Sequence, residues 1–193
     1  MKVLLIHEGI LQHMRGLVNR SDLPHIQTNY DTAFELVNGF YVSSHWVKYE
    51  EFKEGPAILV GVLLHERKTT SSHRLYFDGL TQKFPQIQRA ENFFMVTDDE
   101  AAFISQILKY LPNIDLFRCW NHIKTNVKEK LRTLGLTNPL HVARYQTDIH
   151  NLFSEDSLTD YYRESRDYLA DGSSWCKVCI MFFNEIRSSC YHF

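Results

Sequence analysis

The sequence is poor in most of the features that give a function away. Its 193 residues hold four cysteines, Cys119, Cys176, Cys179 and Cys190, sparse and unevenly placed. Such spacing is unlike the disulfide framework of a small secreted domain, so a reducing, intracellular setting is expected. Glycines number eight, and none builds a phosphate-cradling loop. No nucleophile elbow and no ordered Ser/His/Asp or Cys/His spacing is present. No apolar run approaches the ~18 residues of a membrane span. The opening MKVLLI is too short for the apolar core of a signal peptide and is interrupted by His7 and Glu8. It reads as a short strand, or as the middle of a longer parent protein. Net charge is −2, so nothing global attracts a polyanion, and any nucleic-acid role must come from a local patch. There is no repeat and no low-complexity segment.

What the chain does have is a core. It is 44% hydrophobic and 13% aromatic, enough for one domain with an appendage. HIQTNYDTAFELV, residues 25–37, alternates strictly: Tyr30, Thr32, Phe34 and Leu36 point one way, Asp31, Ala33, Glu35 and Val37 the other. That is strand periodicity. Asn38-Gly39 follows and then FYVSSHWVKY, a strong hairpin signal because both turn positions favour positive φ. AILVGVLLHE supplies a third and more apolar strand. Beyond it the period changes. SSHRLYFDGLTQKF has Leu75 or Tyr76, Leu80 and Phe84 at helical spacing, FFMV reads as a buried strand, and DEAAFISQILKYL as an amphipathic helix. DLFRCWNHI predicts another strand and TNVKEKLRTLG a helix closed by Gly135. Three antiparallel strands followed by strand–helix alternation predict an α/β fold, a mixed five-stranded sheet with helices on its faces. From about residue 138 the sequence turns helical and rich in Tyr, Asp and Arg. The expected domains are 1–137 and a helical extension, 138–193.

The acidic stretch VTDDEAAF admits two readings. Thr97-x-x-Glu100 fits a capping box, with Asp98 and Asp99 in a first helical turn where the dipole favours negative charge. Alternatively, Asp98 follows the last residue of a buried strand, where functional groups gather in parallel and mixed sheets. Asp31 lies mid-strand, where Asp is depleted, so it is either a solvent-facing acid or a partner for Asp98. Two close carboxylates call for a hard cation such as Mg²⁺ or Mn²⁺. A pair of such ions about 4 Å apart suits phosphodiester displacement.

DTAFEL around Asp31, GPAILVGVLLHERK, VTDDE around Asp98 and CWNHIKTNVKEKL, in this order, resemble the Mutator-like (MULE) transposase domain of the DDE transposases. The likeness is best over about residues 28–132. It implies an RNase H-like fold, with residues 138–193 as an incomplete helical insertion. It implies that Asp31 and Asp98 are metal-binding catalytic acids for a two-ion Mg²⁺ or Mn²⁺ site. Asp99 and Glu100 would be capping companions, and Cys119 and His122 the family's C-x2-H element at the end of the fifth strand. Arg67 and Lys68 match a basic pair to which no catalytic role is given. The third acid lies downstream of a Trp-containing helical segment that SSWCKVCIMFF resembles, and Glu185 is the candidate near it. The chain ends soon afterwards, which puts catalysis in doubt.

Cys119 and His122 are two ligands where structural zinc needs four. Cys176, Cys179 and Phe183 share a helical face that reads as core, so zinc is not expected. Lys124, Lys128 and Arg132 recur on one helix face and, with Arg118, form the basic concentration. This is either a solvated face or a DNA-backbone contact. The reading that follows from the resemblance is metal-dependent DNA cleavage and strand transfer by a nuclear protein, as a homo-oligomer in a transposition complex. The rival is a transposase-derived DNA- or protein-binding module without catalysis, nuclear or, as a decayed fragment, cytoplasmic. An RNase H-like nuclease acting on RNA hybrids is a weaker third.

Overall fold

In the computed structural model the described residues are 1–153, apart from 19, 21, 24, 38, 49–54 and 99. The elements run β1 (Lys2–Ile6), α1 (Glu8–Val18), β2 (Ile26–Val37), β3 (Phe40–Lys48), β4 (Ala57–His65), α2 (Thr70–Lys83), a 3-10 turn at Pro85–Arg89, β5 (Phe93–Thr97), α3 (Ala101–Tyr110), β6 (Asp115–Arg118), α4 (Trp120–Thr133) and α5 (Pro139–Phe153). They fall into two compact units, Met1–Cys119 and the part from Trp120 onward. Among the described residues no helix is long and apolar enough to cross a membrane.

In the first unit the alternation read from the sequence becomes a mixed sheet in the order β1-β4-β3-β2-β5-β6. The β2–β3 hairpin closes at Val37↔Phe40, and Gly39 takes the positive φ, +79°, that a tight turn asks of it. β3 and β4 are antiparallel, while β2–β5 and β5–β6 are parallel. The sheet therefore has six strands, not the five expected. MKVLLI does form a strand, and it joins the sheet by pairing antiparallel with β4, Leu4 opposite Leu63. Its apolar Leu4 and Ile6 pack on the core, so edge pairing buries side chains as well as satisfying backbone groups.

Helix α1 was not among the expected elements. Leu11, Met14 and Leu17 are its buried face. The core places Tyr30 of β2 at its centre, with its ring 5.1 Å from those of Tyr76 and Phe77 and 5.5 Å from Phe103. Of the two alternatives at the start of α2, Tyr76 is buried and Leu75 exposed. On β2, Tyr30 and Thr32 face the core and Asp31 is half-buried on the opposite face.

In the second unit α4 buries Ile123, Val127 and Leu131, and α5 buries Tyr145 and Ile149. Gln146 Nε2 donates to the Lys124 carbonyl at 3.1 Å, and Trp120 meets His150 edge to face. Gly135, at φ +80°, ends α4 as expected. Leu136 N–H reaches back to the Leu131 carbonyl and Gly135 N–H to Arg132, satisfying end carbonyls.

Candidate metal centre

Parallel pairing of β2 with β5 sets the geometry. Their register runs Ile26↔Phe93 to Tyr30↔Thr97. The last pair is locked through a side chain, with Thr97 Oγ1 donating to the Tyr30 carbonyl at 2.7 Å inside the core. The next residue along the chain from each is an aspartate, Asp31 within β2 and Asp98 just past the end of β5. Asp31 and Asp98 are thus brought side by side where β5 ends, both half-buried, from positions far apart in sequence. A carboxylate oxygen of Asp31 lies within 4.8 Å of one of Asp98. Two carboxylates are donors that a hard divalent cation takes, and they suit Mg²⁺ or Mn²⁺.

Both acids are oriented locally. Asp31 Oδ1 accepts the Thr32 backbone N–H at 2.7 Å. Asp98 Oδ1 accepts the N–H of Glu100 at 2.9 Å. This corrects the capping-box expectation. Thr97 spends its hydroxyl on Tyr30 instead of on the helix, and Asp98 caps the turn in its place. Glu100 stands at the N-cap of α3 without a side-chain cap bond. Its carboxylate turns to Lys68 Nζ, 2.8 Å away. Asp99 lies outside the described residues.

No protein-family model and no curated protein matches this chain.

The remaining expected residues divide by place. Cys119 is the first residue after β6, where its N–H donates to the Thr97 carbonyl at 2.7 Å and closes the ladder. The strand expected over DLFRCWNHI stops there. Trp120 already begins α4, so His122 sits in a first helical turn, not on a strand. Arg118 ends β6. Lys124, Lys128 and Arg132 are all exposed on α4. Lys124 and Lys128 line a cavity of about 460 Å³ with Thr125, Thr137 and residues of α5. Glu185, Cys176, Cys179 and Cys190 lie outside the described residues.

Sequence reasoning missed a polar cluster buried beneath the sheet. His45 Nδ1 is 2.8 Å from Tyr76 Oη, and His73 Nδ1 is 3.0 Å from Tyr30 Oη. His65 Nε2 meets Ser43 Oγ at 2.8 Å, and Ser43 meets Thr32 Oγ1 at the same distance. Burial holds the His45 ring down to about pKa 3 and the His73 ring to about 4, and it pushes the Tyr30 and Tyr76 hydroxyls up. The one sequence signal was the set of His, Ser and Thr at inward positions of otherwise apolar strands.

Proposed function

We propose that the chain is a DDE-type, MULE-like transposase domain of RNase H-like fold, built for metal-dependent cleavage and strand transfer at a DNA phosphodiester. The observation that carries this reading is the convergence of Asp31 and Asp98 beside the end of a parallel strand. The order β4-β3-β2-β5-β6, three antiparallel strands followed by parallel ones, supports it as well. Asp31 and Asp98 are the residues that would hold the cation. When bound, divalent ions polarise the phosphate and stabilise the attacking and leaving oxygens of the displacement. The protein's part is to keep the two carboxylates adjacent and fixed. Thr97 does so by tying the two strands together just before the acids, and Glu100 by donating its N–H to Asp98. Glu185, the candidate for the third acid of the family pattern, lies outside the described residues.

Lys124, Lys128 and Arg132 favour DNA as partner, through the phosphate backbone and without sequence choice. That basic face equally suits a DNA-binding module without catalysis, and one pair of measurements separates the two. The parent protein is expected to bind Mn²⁺ calorimetrically and to nick supercoiled DNA with Mg²⁺ or Mn²⁺. Asp31→Ala and Asp98→Ala are expected to lose both properties. Equal Mn²⁺ binding by all three proteins removes the metal site. Metal binding without nicking selects the binding module.

A further inference from the structure

Glu100 is placed oddly for a helix N-cap. Its side chain ignores the helix and is met at both carboxylate oxygens by groups from another element. Lys68 Nζ, on the loop between β4 and α2, contacts Oε2 at 2.8 Å, and His73 Nε2, on α2, faces Oε1 at 3.7 Å. Lys68 and Glu100 retain only 19% and 21% of their side-chain exposure, so solvent screens the pair far less than an open surface bridge. His73 is fully buried, and its Nε2 makes no hydrogen bond among the described residues. A neutral imidazole has one donor and one acceptor nitrogen. In the tautomer whose Nδ1 accepts from the Tyr30 hydroxyl, the Nε2 proton faces Glu100. The Lys68 ammonium also lies 5.8 Å from the centre of the Tyr41 ring, which stacks on His65.

Both ends of this arrangement reach the metal-site candidates. Tyr30 immediately precedes Asp31, and the N–H of Glu100 is bonded to Asp98 Oδ1. We propose that Lys68, Glu100 and His73 form a clamp that positions Asp98. The clamp fixes Glu100 against α2 and the β4–α2 loop, so that the Asp98 carboxylate bonded to its N–H is held beside Asp31 before any cation arrives. It rests on the metal-site reading above. None of the three residues is a ligand in it: Lys68 and Glu100 are positioning residues that act through the backbone N–H of residue 100, and His73 closes the far side.

Partners that orient metal ligands from the outer shell typically change affinity about 10–100-fold when removed. The test is Mn²⁺ titration of the full chain, alone and as Lys68→Met, Lys68→Arg and Glu100→Gln, with hydrogen exchange of the Glu100 amide followed in each. Glu100→Gln keeps the side-chain shape and guards against simple misfolding. Lys68→Met and Glu100→Gln are expected to weaken Mn²⁺ binding on the order of 10-fold or more and to speed exchange of the residue-100 amide. Lys68→Arg restores both, because a cation still grips the carboxylate. Unchanged affinity together with unchanged exchange overturns the clamp. Weaker binding with unchanged exchange also overturns it, since a charge acting through space needs no fixed turn. A parent that binds no Mn²⁺ removes the metal reading instead. The clamp is then decided by exchange alone: faster in Lys68→Met but not in Lys68→Arg supports it, and equal rates sink it.

Discussion

Single residues decide more here than their types suggest. Gly61 is an example. It lies beside an irregularity in the β3–β4 register, where His45 pairs with Gly61 and Trp46 with Leu59. A Cβ at Gly61 would stand 2.8 Å from the Leu5 carbonyl oxygen and 3.0 Å from Tyr76 Oη. Neither neighbour yields easily: one is edge-strand backbone, the other a buried phenol bonded to His45. Gly61→Ala should cost about 1–3 kcal/mol, the range for an overpacked core. At Gly79 a Cβ would meet the flexible Leu4 Cδ2. Removing that helical glycine also gains up to about 1 kcal/mol of helix propensity, so Gly79→Ala should be much milder. Urea unfolding of the two variants checks this, and equal losses would contradict it. The same scale shows what was legible. Asp31 and Asp98 stood out because an acid is costly in a strand or just after a buried one. Lys68 stood out only as half of a basic pair with no role, because its partner Glu100 is 32 residues away and a loop lysine is ordinarily solvated.

At the scale of elements, most of the order was readable. The hairpin, β4, α2, β5, α3, α4 and α5 follow from period and punctuation. The misses have local causes. The strand before Cys119 was drawn too long because CWNHI is as apolar as a strand, yet the ladder closes at Cys119 and helix begins at once. α1 was overlooked because two glycines, Gly9 and Gly16, weaken its helical signal. Helix α4 carries its own prediction. Its outer face holds Lys124, Lys128 and Arg132, all exposed, the first two beside a cavity in the same unit. If they contact DNA phosphates, replacing all three with Ala should weaken binding uniformly across sequences. Each lost contact should lower the salt slope of log affinity by about 0.9. Binding isotherms across a salt series measure this. An unchanged slope would make the face merely solvated.

At the scale of the molecule, the buried histidines set the acid limit. His45 and His73 stay neutral in the folded protein down to about pH 3 and 4, held there by burial. In the unfolded chain they protonate near the ordinary value of about 6.5. Their folded values are depressed, so stability is intact above about pH 6.5 and falls as pH drops toward 4. Each ring contributes a slope of about 1.4 kcal/mol per pH unit in that window. The loss begins well above the carboxylate range, which separates it from ordinary acid unfolding. Urea midpoints at pH 7, 6 and 5 should fall in step, and a flat series would show that the rings are solvated.

The α/β class, the strand–helix order and two acids in unusual places are legible along the chain, because they rest on local periodicity and on the cost of putting charge where apolar residues belong. The rest follows from how distant segments pack. Parallel pairing of β2 with β5 put Asp31 beside Asp98, and the opening strand was recruited as a sixth. Thr97 and Glu100 were drawn away from the capping box, to Tyr30 and Lys68. Each of these outcomes depends on which elements become neighbours. That choice is made by burying side chains from distant segments together, and no local pattern records it.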